Sequence, residues 1–225
     1  MRIFVRSFVF LILSIFLTIS NNACFSDIHQ ETDSRYKNSH TMLAEYIDAM
    51  QSCVMDFVHY DSTSKDKYYG SLLINKNYNF RFNYYQPYPL LIVGDKDYIS
   101  IYDYDMKHLS RIKTVEYINL LLLCDKDYLN QKIKIIYEAI VDDKYIVKAI
   151  HNNSSDYVLS LQFNSVNKKL EKIEVTEFDN LVTIEINDVI KLQYISDSLF
   201  VIRDPEVFAV PERLNKSQLS KLYRE

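Results

Sequence analysis

Two glycines in 225 residues, Gly70 and Gly94, leave nothing from which to build a glycine-rich phosphate loop of the nucleotide or dinucleotide kind. No G-x-S-x-G elbow and no H-E-x-x-H pattern occurs. The five histidines, His29, His40, His59, His108 and His151, are scattered, without the spacing of a metal-ligand cluster. Cys53 and Cys124 form no close metal-type pair. They read as two buried thiols, with a disulfide as the alternative in an oxidising compartment. Asp103 and Asp105, in YDYDMK, could imitate two catalytic carboxylates. Between two strands, however, aspartates most often close turns by accepting from their own backbone. No catalytic residue, metal or cofactor is therefore expected. An excess of one charge is missing too: 26 basic against 30 acidic residues give a net charge of −4 and no basic stripe for nucleic acid.

What the chain does have is apolar and aromatic: 48 % hydrophobic residues, with 19 Tyr and 12 Phe but no Trp. That composition is globular and suits strands better than helices, and the length suits one domain with a sizeable core. Arg2 and Arg6 precede the apolar run SFVFLILSIFLTIS (7–20), which is followed by the small residues Cys24 and Ser26. This is the pattern of a secretory signal peptide over 1–26, cleaved before Asp27 to release a soluble, exported chain. A lipid-modified Cys24 is the alternative, although Asn21 stands where such signals usually place Leu.

Residues 27–40 are polar and aperiodic, which predicts a flexible arm. Behind Thr41, Leu43, Tyr46, Ile47, Met50 and Val54 recur at three- and four-residue spacing, predicting an amphipathic helix over about 41–53. From Val54 onward short runs of β-formers alternate with turn-prone stretches: VMDFVHY, YYGSLLINK, NFRFNYY, PLLIV, DYISIYD and KHLSRIK. The segment TVEYINLLLLCDKDYLNQ (114–131) breaks this rhythm and predicts a second helix. Its four consecutive leucines require that it be buried or cover an apolar surface. Strand-like runs then resume with KIKIIYEAIV, KYIVKAIH, YVLSLQFNS, KLEKIEVTEF, LVTIEINDVI and LFVIRDPEVF. One domain over 41–211 and a C-terminal tail over 212–225 are expected.

Period two assigns faces. Leu72, Ile74 and Lys76 share one side of a strand; Phe80, Phe82 and Tyr84 share a side of the next, while Arg81 and Asn83 take the other. Arg81→Asp is therefore expected to be much milder than Phe82→Asp, which puts a carboxylate on the apolar face. Leu91 and Val93, or alternatively Leu90 and Ile92, continue the apolar face, followed by Ile99 and Ile101. A face this wide can be ordinary core, but a strongly curved sheet with few helices to fill it encloses space.

GSLLINKNYNFRFNYYQP, followed by LLIVGDKDYISIYDYDMKHLSR, resembles the signature of the LolA family, the periplasmic outer-membrane lipoprotein carriers. The likeness lies in the glycine, Leu, aliphatic and basic residue, the aromatic-rich strand ending in Tyr and Pro, the aliphatic triplet, and the turn before Y-D. FVIRDPEVFAVP (200–211) is similar to that family's closing strand, so the resemblance spans roughly 41–211 and is strongest over 70–111. Asn77 replaces the usual proline, Lys96 the usual Asp-Gly turn, and Lys76 takes the basic position where Arg is common.

The resemblance implies a mainly β fold: an incomplete, unclosed antiparallel β-barrel of about eleven strands with a helical lid over a hydrophobic cavity. Leu72, Ile74, Phe80, Phe82, Tyr84, Leu91, Val93, Ile99 and Ile101 would line the cavity. Leu43, Ile47, Met50, Ile118, Leu121 and Leu122 would form the lid, with Lys76 as its latch. The implied function is a monomeric periplasmic chaperone that binds the acyl chains of lipoproteins and uses no cofactor. It would receive them from an inner-membrane releasing transporter and deliver them to an outer-membrane acceptor. The alternatives are an acceptor of the same fold, lipidated at Cys24, and an exported interaction or sensor module without lipid cargo.

Overall fold

Eleven of the twelve strand-like runs become strands: β1 Cys53–Asp61, β2 Lys67–Ile74, β3 Phe80–Tyr84, β4 Leu90–Gly94, β5 Tyr98–Asp103, β6 His108–Lys113, β7 Ile133–Val141, β8 Lys144–His151, β9 Ser154–Asn164, β10 Leu170–Glu177 and β11 Asn180–Lys191. Helix α1 (Ser34–Met50) precedes them; a 3-10 turn (Asp197–Phe200) and helix α2 (Lys216–Leu222) follow. The computed structural model describes residues 34–222 apart from 51, 63–64, 76–78, 86, 96, 114–130, 153 and 178–179. The signal peptide, Cys24, Lys76, Asn77, Lys96, Ile118, Leu121, Leu122 and Cys124 lie outside the described residues.

All strands belong to one antiparallel sheet of order β6-β5-β4-β3-β2-β1-β11-β10-β9-β8-β7. It consists of two meanders joined where β1 pairs with β11, from Cys53 opposite Lys191 to Asp61 opposite Val182. β6 and β7 follow one another in the chain yet form the two opposite edges, so the sheet is not closed. Register shifts fall at Asp56/Phe57 on the β1–β11 seam and within the β7–β10 half, whereas the β2–β6 registers run without one. Each such bulge bends its strand and adds twist, which curves the sheet.

The shortage of glycine shapes the turns. Both glycines sit in strands, and neither has a positive φ. Their use is space: Gly70 lies opposite Phe57 and Gly94 opposite Phe80, and a methyl on either would overlap its partner's ring. Among the described residues the left-handed positions fall instead to Ser52, Lys65, Lys107, Lys168, Asp142 (φ 49°) and Asp143 (φ 59°). Asp142 and Asp143 form the two-residue β7–β8 hairpin, a geometry that prefers glycine second. Asp143→Gly should therefore stabilise the protein by roughly 0.5–1 kcal/mol, since glycine takes this backbone conformation without a steric penalty. An unchanged or lower thermal midpoint would show that the hairpin holds no strain.

The sheet has two faces with different covers. On the inner face, α1 packs Leu43, Ala44, Tyr46, Ile47 and Met50 into one cluster with residues from nearly every strand. On the outer face, Leu192, Ile195, Phe200, Ile202, Leu214 and Leu219 pack on Val54, Leu73, Leu91, Val93 and Tyr102. The stretch after β11 thus crosses the outer face as a strap. The twelfth expected strand, LFVIRDPEVF, is not one: it passes from the 3-10 turn through extended chain into a turn at Asp204. Pro205 removes a backbone donor, and Asp204 Oδ1 instead accepts from the Glu206 amide at 2.9 Å. The stretch expected as a tail is packed as far as Leu219. Helix α1 begins at Ser34, inside the expected arm, and ends at Met50.

Candidate functional site

The inner face is a continuous apolar surface. Met55 and Phe57 from β1, Leu72 and Ile74 from β2, Phe80 and Tyr84 from β3, and Ile99 and Ile101 from β5 are buried in it. Phe82 packs on its margin, half-buried, its ring 5.5 Å from Phe57, 5.9 Å from Phe80 and 6.3 Å from Tyr84. Apart from Met55 and Phe57, to which no role was assigned, these are residues that the sequence places on one face, and Leu43, Ile47 and Met50 from α1 join the same cluster. The sequence misassigns one pair: Leu90 and Ile92 face inward, while Leu91 and Val93 lie under the strap on the outer face. The alternation cannot decide this, because all five residues of β4 are buried. Beyond β11 the surface continues through residues to which no role was assigned, including Ile173 on β10, Phe163 and Leu161 on β9 and Ile133 on β7. Their signal is the same alternation, in runs recognised as strands but not sorted into faces.

Helix α1 makes ring contacts and a hydrogen bond through Tyr46. The Tyr46 ring lies 4.3 Å from that of Tyr145 and 5.1 Å from that of Phe163, and its hydroxyl donates to the Ser165 carbonyl at 3.3 Å. Lys168, on the adjoining β9–β10 turn, reaches Glu45 at 3.0 Å and stands 5.6 Å over the Tyr46 ring. The ion pair is exposed and contributes at most about 1 kcal/mol. The aromatic contacts, with the area they bury, carry more. Burial and the hydrogen bond to Glu138 both raise the Tyr145 pKa, so its hydroxyl stays a donor.

Polar groups gather at one end of the inner face. His59 is 1 % exposed, with Nδ1 3.2 Å from the Tyr84 hydroxyl and its ring 5.5 Å from that of Tyr68. Burial lowers its pKa from 6.5 to about 4, with Asp61 opposing the shift. Above pH 6.5 the imidazole is neutral in both folded and unfolded chains. As the pH falls below that value the unfolded chain takes up a proton that the folded one refuses, so stability drops until pH about 4. By pH 5 the loss from this group should reach about 2 kcal/mol. Urea unfolding at pH 7 and pH 5 should show a difference that shrinks by that amount in His59→Gln; an equal drop in both proteins would mean that His59 titrates normally.

The other chemical candidates resolve into structure. Asp103 Oδ1 accepts from the amides of Asp105 and Met106, both at 2.9 Å, and so closes the β5–β6 turn. Cys53 is a free, buried thiol that donates to the Met50 carbonyl, with a pKa pushed up by burial to about 12. Among the described residues no three His, Cys, Asp or Glu side chains are grouped to hold a metal, and no helix is long and apolar enough to cross a membrane.

Arg81 lies on the face opposite Phe80, Phe82 and Tyr84, as expected, but that face is covered there, so its substitution is not expected to be mild. It is 4 % exposed beneath the strap, donating from Nη1 to the Leu199 carbonyl at 3.0 Å and from Nη2 to the Glu212 carbonyl at 2.7 Å. Its Nε donates to Asn83 Oδ1 at 2.9 Å.

Comparison with known proteins adds a family. The family described as "Outer membrane lipoprotein carrier protein LolA" matches residues 49–203. An uncharacterized protein of Rickettsia prowazekii (strain Madrid E) is 38 % identical over 197 residues, covering 84 % of this chain and 89 % of that protein. Solved structures with a similar chain course include a LolA superfamily protein of Nitrosomonas europaea, at 12 % identity and TM-score 0.45, covering 72 % of this chain and 97 % of that one. A putative outer membrane lipoprotein-sorting protein domain of Vibrio parahaemolyticus, at 8 % identity and TM-score 0.45, covers 72 % and 94 %. With the family match over 49–203, an eleven-stranded open sheet and a helix-covered apolar inner face, the chain belongs to the LolA family.

Proposed function

We propose that this protein is a periplasmic carrier that shelters the acyl chains of lipoproteins on its inner face while they pass from the inner to the outer membrane. The observation that carries the reading is the continuous apolar face running from Ile112 on β6 to Ile133 on β7, in a chain of this family. Each methylene removed from water contributes about 0.8 kcal/mol, so a surface of this kind holds acyl chains without any catalytic group. In the empty protein Leu43, Ile47 and Met50 of α1 occupy the face, and cargo replaces them. Exchange between similar apolar contacts leaves the two states close in energy, which a carrier needs for release. The partners on this reading are the cargo lipoproteins, an inner-membrane releasing transporter and an outer-membrane acceptor, and the exported chain works as a monomer once residues 1–26 are removed.

The test is binding of a fluorescent triacylated peptide to the purified exported protein, alongside the same peptide without acyl chains. Saturable binding of the acylated peptide alone, with displacement of a hydrophobic dye, is the expected result. Equal binding of the two peptides would sink the reading. Mass analysis of the exported protein separates the carrier from the acceptor: a fatty-acylated Cys24 at the new N-terminus would favour the acceptor.

A further inference from the structure

Where the strap passes the ends of β3 and β4 it leaves a pocket of about 220 Å³ that no α1 residue lines, although Tyr84 and Leu90 at its floor also belong to the inner cluster. Pro89, Leu90 and Leu214 give it an apolar lining, and Tyr104 supplies a ring. Arg213 stands beside that ring with its guanidinium carbon 4.4 Å from the centroid. This cation–π contact holds the guanidinium at the pocket wall without using its N–H groups on a carboxylate. No carboxylate pairs with Arg213 among the described residues.

Two amides complete the polar lining, and their orientation is fixed by chemistry. Asn215 Oδ1 accepts from the Gln218 amide and Gln218 Oε1 from the Asn215 amide, both at 2.9 Å. Only the oxygen of a side-chain amide can accept, so the NH2 group of each is left as a donor. Asn83 is already engaged, through Oδ1 with Arg81 and through Nδ2 with Ser71. The pocket therefore offers one guanidinium and two amide donors beside an apolar lining.

We propose that this pocket binds a small monocarboxylate with an apolar body, its two oxygens taken by Arg213 and Gln218 and its body lying on Leu90 and Leu214. The planar fork of one guanidinium matches a carboxylate in charge and shape. A phosphate dianion fits less well, because Arg81 is committed to carbonyls and the Glu212 carboxylate stands beside Arg213 in the chain. The same chemistry could come from a free small acid or from the terminal residue of a peptide.

The test is NMR titration of the full exported protein with 3-phenylpropionate, following the backbone amides of Leu214 and Gln218. Neutral 3-phenylpropanol serves as control, with Ala-Ala-Phe as free acid and as amide in parallel. The acid should bind saturably, the alcohol about tenfold more weakly, and Arg213→Gln should weaken the acid about tenfold. Gln218→Glu, which sets a negative charge against the carboxylate, is an independent second variant and should weaken it at least as much. A tripeptide acid that binds more tightly than phenylpropionate assigns the site to peptide termini; weaker binding assigns it to free acids. Equal binding of acid and alcohol, no loss in either variant, or no binding by the unaltered protein overturns the proposal. Binding of the acylated peptide should be unchanged in Arg213→Gln, so failure here leaves the inner-face reading untouched.

Discussion

Replacing Arg81 by methionine should remove about 3 kcal/mol of stability, a large share of what a domain of this size has to lose. Methionine fills much of the same volume but supplies none of the three donations, to Leu199, Glu212 and Asn83. Each hydrogen bond to a charged group contributes about 1.5–3 kcal/mol, and the three are not additive because the strap can lift and rehydrate its carbonyls. The loss should be concentrated where those carbonyls lie. Amide exchange should quicken through Leu192, Ile202 and Leu219, while Tyr46 and Ile47 on α1 change little. Arg81→Lys should recover only part of the stability, since one ammonium cannot span three acceptors held by a planar fork. Denaturant unfolding with exchange by mass spectrometry checks this; an unaltered midpoint with unaltered strap protection would show that Arg81 is not what fastens the strap.

Phe82→Asp should abolish most acyl-peptide binding, a loss of at least about tenfold. The ring lies among Phe57, Phe80 and Tyr84, yet it is only half-buried, so the fold can tolerate the change better than ligand can. A carboxylate there must be desolvated when acyl chains cover it, or take up a proton, and either penalises the bound state by several kcal/mol. Phe82→Leu should keep binding within about threefold, since it keeps the surface apolar. The comparison on the other face cannot be Arg81, which is buried; Tyr69→Asp, at an exposed side chain, serves instead. Equal loss in Phe82→Asp and Tyr69→Asp would mean that cargo does not lie on the inner face.

The parts of this architecture visible in the sequence are those written in short-range periodicity. The alternation in FRFNY or KYIVKAIH sets strand and face together, and β3 and β8 follow it. Alternation fails where both faces are covered: β4 reads as an unbroken apolar run because the strap lies on one side and the inner cluster on the other. The strap was itself illegible, because its anchors join Arg81 to carbonyls 118 and 131 residues away. The start of α1 was hidden for another reason, since SRYKNSH carries no apolar spacing to announce a helix. The glycines did carry a signal. In so poor a chain, each faces a phenylalanine on the neighbouring strand, a pairing that needs strand register as well as composition.

The β1–β11 seam has a consequence for the order in which the molecule forms. Every other pairing in the sheet lies within one of the two meanders, between strands consecutive in the chain. The seam alone joins Cys53 to Lys191, so its loop-closure entropy is the largest in the sheet and its contacts form slowly. Until β11 has been made, β1 offers one bare hydrogen-bonding edge and the nearly fully buried side chains Cys53, Val54, Met55 and Phe57. A nascent chain is therefore an open template for edge-to-edge association. It gains its protected form only when the last strand and the strap arrive together, so the C-terminal quarter of the sequence acts as the closing step of assembly.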